Sequence, residues 1–186
     1  MSKKTKKIEI LTEVELRKTL SRLTSEIIEK VKNLDNLVLV GVPTRGIDLT
    51  KVLEKELFYK TGSKIRKGTI DPTFYRDDQN RVETRLMKAT DIPIPIENKE
   101  IVLIDDVIYT GRTIRAALTA IESFGRPKTI ELLILVDRRF SRELPIQPDY
   151  KGVQVDVYEN QKVNVKWNDS KYGNYVYIEN LMNGKS

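Results

Sequence analysis

The chain has 186 residues and a net charge of +6, from 33 Lys and Arg against 27 Asp and Glu, which suits one domain with an anionic partner, either a phosphorylated metabolite or nucleic acid. It contains no cysteine and no histidine. That excludes disulfides, thiolate or imidazole metal sites and histidine-based triads, and leaves a hard cation on oxygen ligands, Mg2+, as the metal to expect. No apolar stretch reaches the ~20 residues that span a bilayer, and residues 1–10 lack the apolar core of a secretory signal, so a cytoplasmic protein is expected.

Residues 1–8 read as a solvated basic arm. Thr12 and Glu15 have capping-box spacing, and Leu16, Leu20, Leu23, Ile27 and Val31 recur at intervals of three and four, which predicts an amphipathic helix of about five turns. Leu37 to Val42 is a continuous apolar run, the mark of a strand buried on both faces. It ends in Pro43-Thr44-Arg45-Gly46, and a second helix follows with Leu49, Val52, Leu53 and Leu57 inward. Lys64 to Asp71 and Phe74 to Tyr75 read as extended. Residues 76–99 are charged and carry Pro93 and Pro95, which predicts a long mobile excursion. Ile101 to Asp105 is a second buried strand, Thr113 to Phe124 a third helix ended by Gly125 and Pro127, and Ile130 to Val136 a third buried strand. Strands alternating with helices predict a parallel α/β sheet. From Asp137 onward the valines alternate with polar residues, predicting short half-exposed strands over 137–180.

The segment Ile101 to Thr113 carries the sharpest chemistry. A buried strand runs into the adjacent carboxylates Asp105 and Asp106, and Thr110-Gly111-Arg112-Thr113 then opens a helix. This order places the segment at the C-terminal edge of a parallel sheet, where α/β proteins bind ligands. Glycine lets the backbone approach a phosphate, and amides at a helix start favour an anion. Carboxylates would repel that phosphate but suit sugar hydroxyls and a Mg2+ shell, so the segment reads as a site for a ribose 5-phosphate. It is not a Walker A loop.

These residues resemble the phosphoribosyl diphosphate (PRPP) signature of type I phosphoribosyltransferases. Further segments resemble one family within them, the bifunctional pyrimidine operon attenuation regulators and uracil phosphoribosyltransferases. These are Val42 to Gly46, Asp71 to Asp78, Gly125 to Pro127, Val136 to Arg138 and Arg142 to Tyr150, and the likeness runs through most of residues 11–165. The resemblance implies the type I phosphoribosyltransferase fold: a single α/β domain over 1–186, with a central parallel sheet flanked by helices, a small β-rich hood and a flexible active-site loop. It implies transfer of the phosphoribosyl group of PRPP to uracil, giving UMP and diphosphate, with Mg2+ as cofactor. Asp105 and Asp106 would hold the ribose hydroxyls. Val107, Ile108 and Tyr109 lead into the loop Thr110, Gly111, Arg112 and Thr113 that would hold the 5-phosphate. Thr44, Arg45 and Gly46 would bind diphosphate, and Asp105, Asp106 and Arg45 form the catalytic set. Arg76 and Arg85 are candidate diphosphate contacts from the excursion over 75–91, and Asp137, Arg138 and Val163 would surround the uracil.

The same family binds pyrimidine operon leader RNA in response to uridine nucleotides and forms dimers or larger homo-oligomers. Ser21, Arg22, Lys30 and Thr44 fall on or near its RNA-contacting positions, and Arg139 and Arg142 extend that patch on a face opposite the active site. The chain departs from the family here. Asp137-Arg138-Arg139-Phe140-Ser141-Arg142 stands where the family has Asp-Arg-Gly-His-Arg, so a histidine is missing and one residue is inserted. Two alternatives remain: an RNA-binding nucleotide sensor with little catalysis, and a type I enzyme for another base. A purine enzyme would normally carry Glu-Asp at the acidic pair, and an orotate enzyme lysine-rich loop motifs.

Overall fold

A computed structural model describes residues 7–76, 90–158, 160–169 and 173–180. In chain order the elements are β1 (Lys7–Leu11), α1 (Glu13–Lys30), β2 (Leu37–Gly41), α2 (Arg45–Thr61), β3 (Arg66–Thr69), β4 (Glu100–Ile108), α3 (Arg112–Glu122), β5 (Thr129–Arg139), β6 (Tyr150–Asp156), β7 (Gln161–Asp169) and β8 (Gly173–Asn180). Strands β3-β2-β4-β5-β6 form a five-stranded sheet, and β1-β8-β7 a three-stranded one. Every pairing in the larger sheet is parallel. Both pairings in the smaller are antiparallel.

The continuous apolar strands explain the layering. In β2, Leu37 and Leu39 face one core with Leu16, Leu23 and Ile27 of α1 and Leu49, Leu53 and Leu57 of α2. Val38 and Val40 face a second core with Ile114, Ala117 and Ile121 of α3. Side chains that alternate across the sheet are thus covered on both sides. Burying each such side chain contributes about 1.5–3 kcal/mol before the entropy of ordering it. The hood packs by the same logic: Leu11, Val163, Val165, Val176 and Ile178 join the core that contains α1.

Several expected boundaries move. Lys7 and Ile8 belong to no free arm, because β1 pairs along β8 from Lys7↔Glu179 onward. Residues 73–75 form a 3-10 turn rather than an extended piece. Asp91 bridges back to Thr69 and Ile96 is fully buried, so the second half of the expected excursion is packed; 77–89, with Arg85, lie outside the described residues. Strand β6 completes the parallel sheet through Leu133↔Tyr150, and the hood draws its third strand from the N-terminus instead. Its alternating valines misled because an edge strand of an α/β sheet carries the half-exposed pattern of a hood strand. Among the described residues, no helix is long and apolar enough to cross a membrane.

Candidate active site

Two strand-turn-helix units meet at the C-terminal edge of the sheet. In the first, β2 ends and α2 begins at Arg45 after a cis Pro43–Thr44 peptide. In the second, β4 continues through Asp105 and Asp106 to Ile108, and α3 begins at Arg112 after Gly111. The units touch at Gly46. A Cβ there would lie 2.6 Å from the Ile104 carbonyl oxygen and 3.2 Å from Asp105 Cα. Only glycine allows this approach. It brings the Thr44-Arg45-Gly46 turn beside the acidic pair, with Arg45 Nη1 4.0 Å from Asp106 Oδ2.

The carboxylates are costly where they stand. Asp105 is 8% exposed, and its Oδ1 accepts from the Asp106 amide at 2.8 Å. Burial pushes the Asp105 carboxyl well above its ordinary range, and repulsion from Asp106 adds to that. Burial also raises Asp106, while the hydrogen bond with Asp105 and the Arg45 charge oppose the rise. Two neighbouring acids whose carboxyls stay raised despite the Arg76 and Arg45 charges mark a binding site more than a structural ion pair.

Gly111 has φ +93° and caps α3 without a side-chain hydrogen bond. An L side chain is strained in that conformation. Thr110 Oγ1 accepts from the Arg112 amide at 3.3 Å. From the edge of the 77–89 segment, Arg76 Nη1 donates to Thr113 Oγ1 at 3.0 Å. Arg76, Arg45, the acidic pair and the Thr110–Thr113 turn therefore share one locale. Val107 and Ile108 are different: the Ile108 side chain is buried in one core, and that of Val107 packs partly against the other.

Asp137 and Arg138 lie within β5, not after it. Asp137 is 5% exposed and accepts from Arg142 Nη2 at 2.6 Å and Gln154 Nε2 at 3.3 Å. The Arg138 guanidinium sits 4.1 Å from the centre of the Tyr109 ring, and its Nε is buried without a hydrogen-bond partner among the described residues. A cavity of about 350 Å³ opens beside these residues, lined also by Arg139, Phe140, Lys151 and Gln154. Val163 is on β7, 4% exposed within the larger core, and lines no part of that cavity.

The candidate RNA-contacting residues make contacts within the chain. Arg22, on α1, donates to Glu26 and to the Lys151 and Gly152 carbonyls of β6, and the Ser21 carbonyl accepts from Lys60. Arg139 pairs with Asp156 through two hydrogen bonds of 2.5 Å. Arg142 lines the same cavity as Arg139. It also reaches the Tyr109 carbonyl and Asp137, because the connection after β5 folds back over the turn before α3. Its partners stand 33 and 5 residues away in sequence, and no local signal marks such a contact.

Fold and site together define a phosphoribosyltransferase: a phosphoribosyl transferase domain model matches residues 9–168. Solved structures agree on the fold. A hypoxanthine phosphoribosyltransferase from Trypanosoma cruzi superposes with a TM-score of 0.72 over 96% of each chain at 20% identity. One from Staphylococcus aureus gives 0.68 over 95% of this chain and 93% of that one, at 19% identity. Sequence relatives are nearer. "Bifunctional protein PyrR" of Gloeothece citriformis is 48% identical over 85% of this chain and 89% of the relative, and that of Acetivibrio thermocellus 42% identical over 96% and 97%. The chain belongs to this bifunctional PyrR family of phosphoribosyltransferases.

Proposed function

We propose that the protein transfers the 5-phosphoribosyl group of PRPP to uracil, giving UMP and diphosphate. The observation that carries this reading is the contact at Gly46, which sets a cationic turn, an acid pair and an open helix start within one locale. The division of charge suits PRPP. The Thr110–Thr113 amides and hydroxyls favour the 5-phosphate. Asp105 and Asp106 accept from the ribose hydroxyls, whose donors relieve two buried carboxylates. Arg45, with the Thr44 and Gly46 backbone, takes the diphosphate.

In the transfer, the C1–O bond to diphosphate breaks and its electron pair leaves with the diphosphate. The uracil N1–C1 bond forms and the N1 proton is released. Negative charge grows on the leaving group, where Arg45 is placed to stabilise it. No covalent nucleophile is needed. Asp137 and Arg138, beside the cavity, are the side chains proposed to meet the base; Val163 would contribute only through its backbone.

Mg2+ fits this site as a cation held mainly by substrate and water. No cluster of three metal-ligating side chains exists among the described residues, and only Asp105 and Asp106 offer hard oxygen donors at the sugar. When bound, Mg2+ would neutralise diphosphate charge.

The test is turnover of PRPP with Mg2+ and uracil, orotate, hypoxanthine or adenine in turn. Uracil is expected to be the preferred acceptor by a wide margin. A purine acceptor would overturn the base assignment, and turnover of none of the four would overturn the enzymatic reading.

Leader-RNA binding is proposed as a second activity, supported by the bifunctional name of the relatives. Ser21, Arg22, Arg139 and Arg142 are its candidate contacts. A gel shift with pyrimidine leader RNA, with and without UMP, is expected to show a salt-sensitive complex strengthened by UMP. No specific shift under either condition would leave transfer as the sole activity.

A further inference from the structure

We propose that Arg142 is a positioning residue of the transfer site, locking the phosphate turn in place from the β5–β6 connection. This rests on the phosphoribosyl-transfer reading above. Arg142 Nη1 donates to the Tyr109 carbonyl and Nη2 to Asp137 Oδ1, each at 2.6 Å. The next two amides continue the contact, with Glu143 and Leu144 donating to the Thr110 carbonyl at 3.0 and 3.3 Å. The Glu143 carboxylate then accepts from Arg112 Nε at 2.6 Å. The stem of Arg142 also lies against the turn: a Cβ on Gly111 would stand 3.5 Å from Arg142 Cδ and from Leu144 Cβ.

The direction of these bonds is what matters. In a trans peptide the carbonyl and the following amide point opposite ways. Holding the Tyr109 and Thr110 carbonyls on the side of residues 142–144 aims the Thr110 and Gly111 amides to the other side. Oxygens that would repel a phosphate are tied down, and the donors that attract it are presented. The same guanidinium fixes Asp137, so the phosphate turn and the base-side strand share one anchor. Such a shared anchor is planar and forked, which suits arginine better than lysine.

Without Arg142, Asp137 keeps only the 3.3 Å contact from Gln154, and the Tyr109 carbonyl loses a charged donor. The turn then wanders by fractions of an ångström, enough to weaken ground-state binding of the 5-phosphate. A simple structural clip would instead lower thermal stability and leave substrate affinity unchanged.

Steady-state kinetics and UMP calorimetry on the full chain separate the two. In Arg142→Met, KM for PRPP and the Kd for UMP are expected to rise about tenfold while kcat falls by less than about threefold. Arg142→Lys is expected to fall between Met and wild type. Lys128→Met, which breaks an exposed pair with Glu100 at the opposite edge of the sheet, is expected to leave both constants unchanged. If Arg142→Met does not fold, Arg142→Lys decides alone, with KM for PRPP raised about threefold. Constants within twofold of wild type in a folded variant would overturn the positioning role. An inactive wild type would instead strike the transfer reading, and the UMP Kd series would still decide the role of Arg142.

Discussion

Helix α1 and helices α2 and α3 begin in opposite ways. Thr12 and Glu15 close a full capping box on α1: the Thr12 hydroxyl accepts from the Glu15 amide, and the Glu15 carboxylate accepts from the Thr12 amide at 2.9 Å. Neither Thr44 nor Gly111 makes a side-chain cap bond to the helix it precedes. A helix start leaves amides without intrahelical partners. On α1 the cap closes on itself through Thr12 and Glu15; on α3 Thr110 Oγ1 accepts from the Arg112 amide at 3.3 Å, and α2 and α3 both begin at the edge where Asp105 and Asp106 stand. The helix with the strongest start signal is the structural one, and the two with weak starts form the site.

That contrast can be broken first at Gly46. Gly46→Ala drives a methyl into the Ile104 carbonyl at 2.6 Å, and backbone cannot yield as a side-chain tip does. Separating the two turns is expected to lower kcat/KM for PRPP by about a thousandfold, read in a continuous uracil-consumption assay. The acid pair comes next. Asp106→Asn is expected to lose about a hundredfold in turnover while staying folded, because it removes a buried charge.

The same pair sets a sign for stability against pH. Both carboxyls are raised above the ordinary 3.8 by burial, so the folded state holds protons that the unfolded state has released. Stability from this pair therefore falls as pH rises above about 3.8. Asp105→Asn is expected to melt higher than wild type at neutral pH, and the gap should close toward pH 4 in a scanning-calorimetry series. A gap that widens toward acid would reverse the assignment.

Gly111→Ala is milder. The added methyl has ordinary room, 3.5 Å from Arg142 and Leu144, so only the φ of +93° counts against it. A cost of about 1–2 kcal/mol and a several-fold rise in KM for PRPP are expected. The smallest effect belongs to Thr12→Ala, which should lower the melting midpoint by a few degrees without moving any kinetic constant. A changed KM there would erase the distinction between structural and functional helix starts.

Much of this was legible in the residues. Leu37 to Val42 and Ile101 to Asp105 announced strands covered on both faces, and the acids and Thr-Gly turn that follow the second announced the sheet edge. Less was legible where identity depends on distant partners. The valines of β6 carry an edge-strand pattern that also fits a hood, and β1 was hidden in a lysine-rich start whose partner, β8, is about 170 residues away. Arg142 looked like a surface cation because nothing in its neighbourhood reveals Tyr109. Gly46 was identified from its motif, but the contact with Ile104 that explains it exists only in the fold.

A crystal structure with bound UMP tests the central claim most directly. The phosphate is expected within hydrogen-bonding distance of the Thr110 to Thr113 amides, with the ribose diol on Asp105 and Asp106. A phosphate lodged at Arg22 or Arg139, with the Gly111 turn bare, would contradict it.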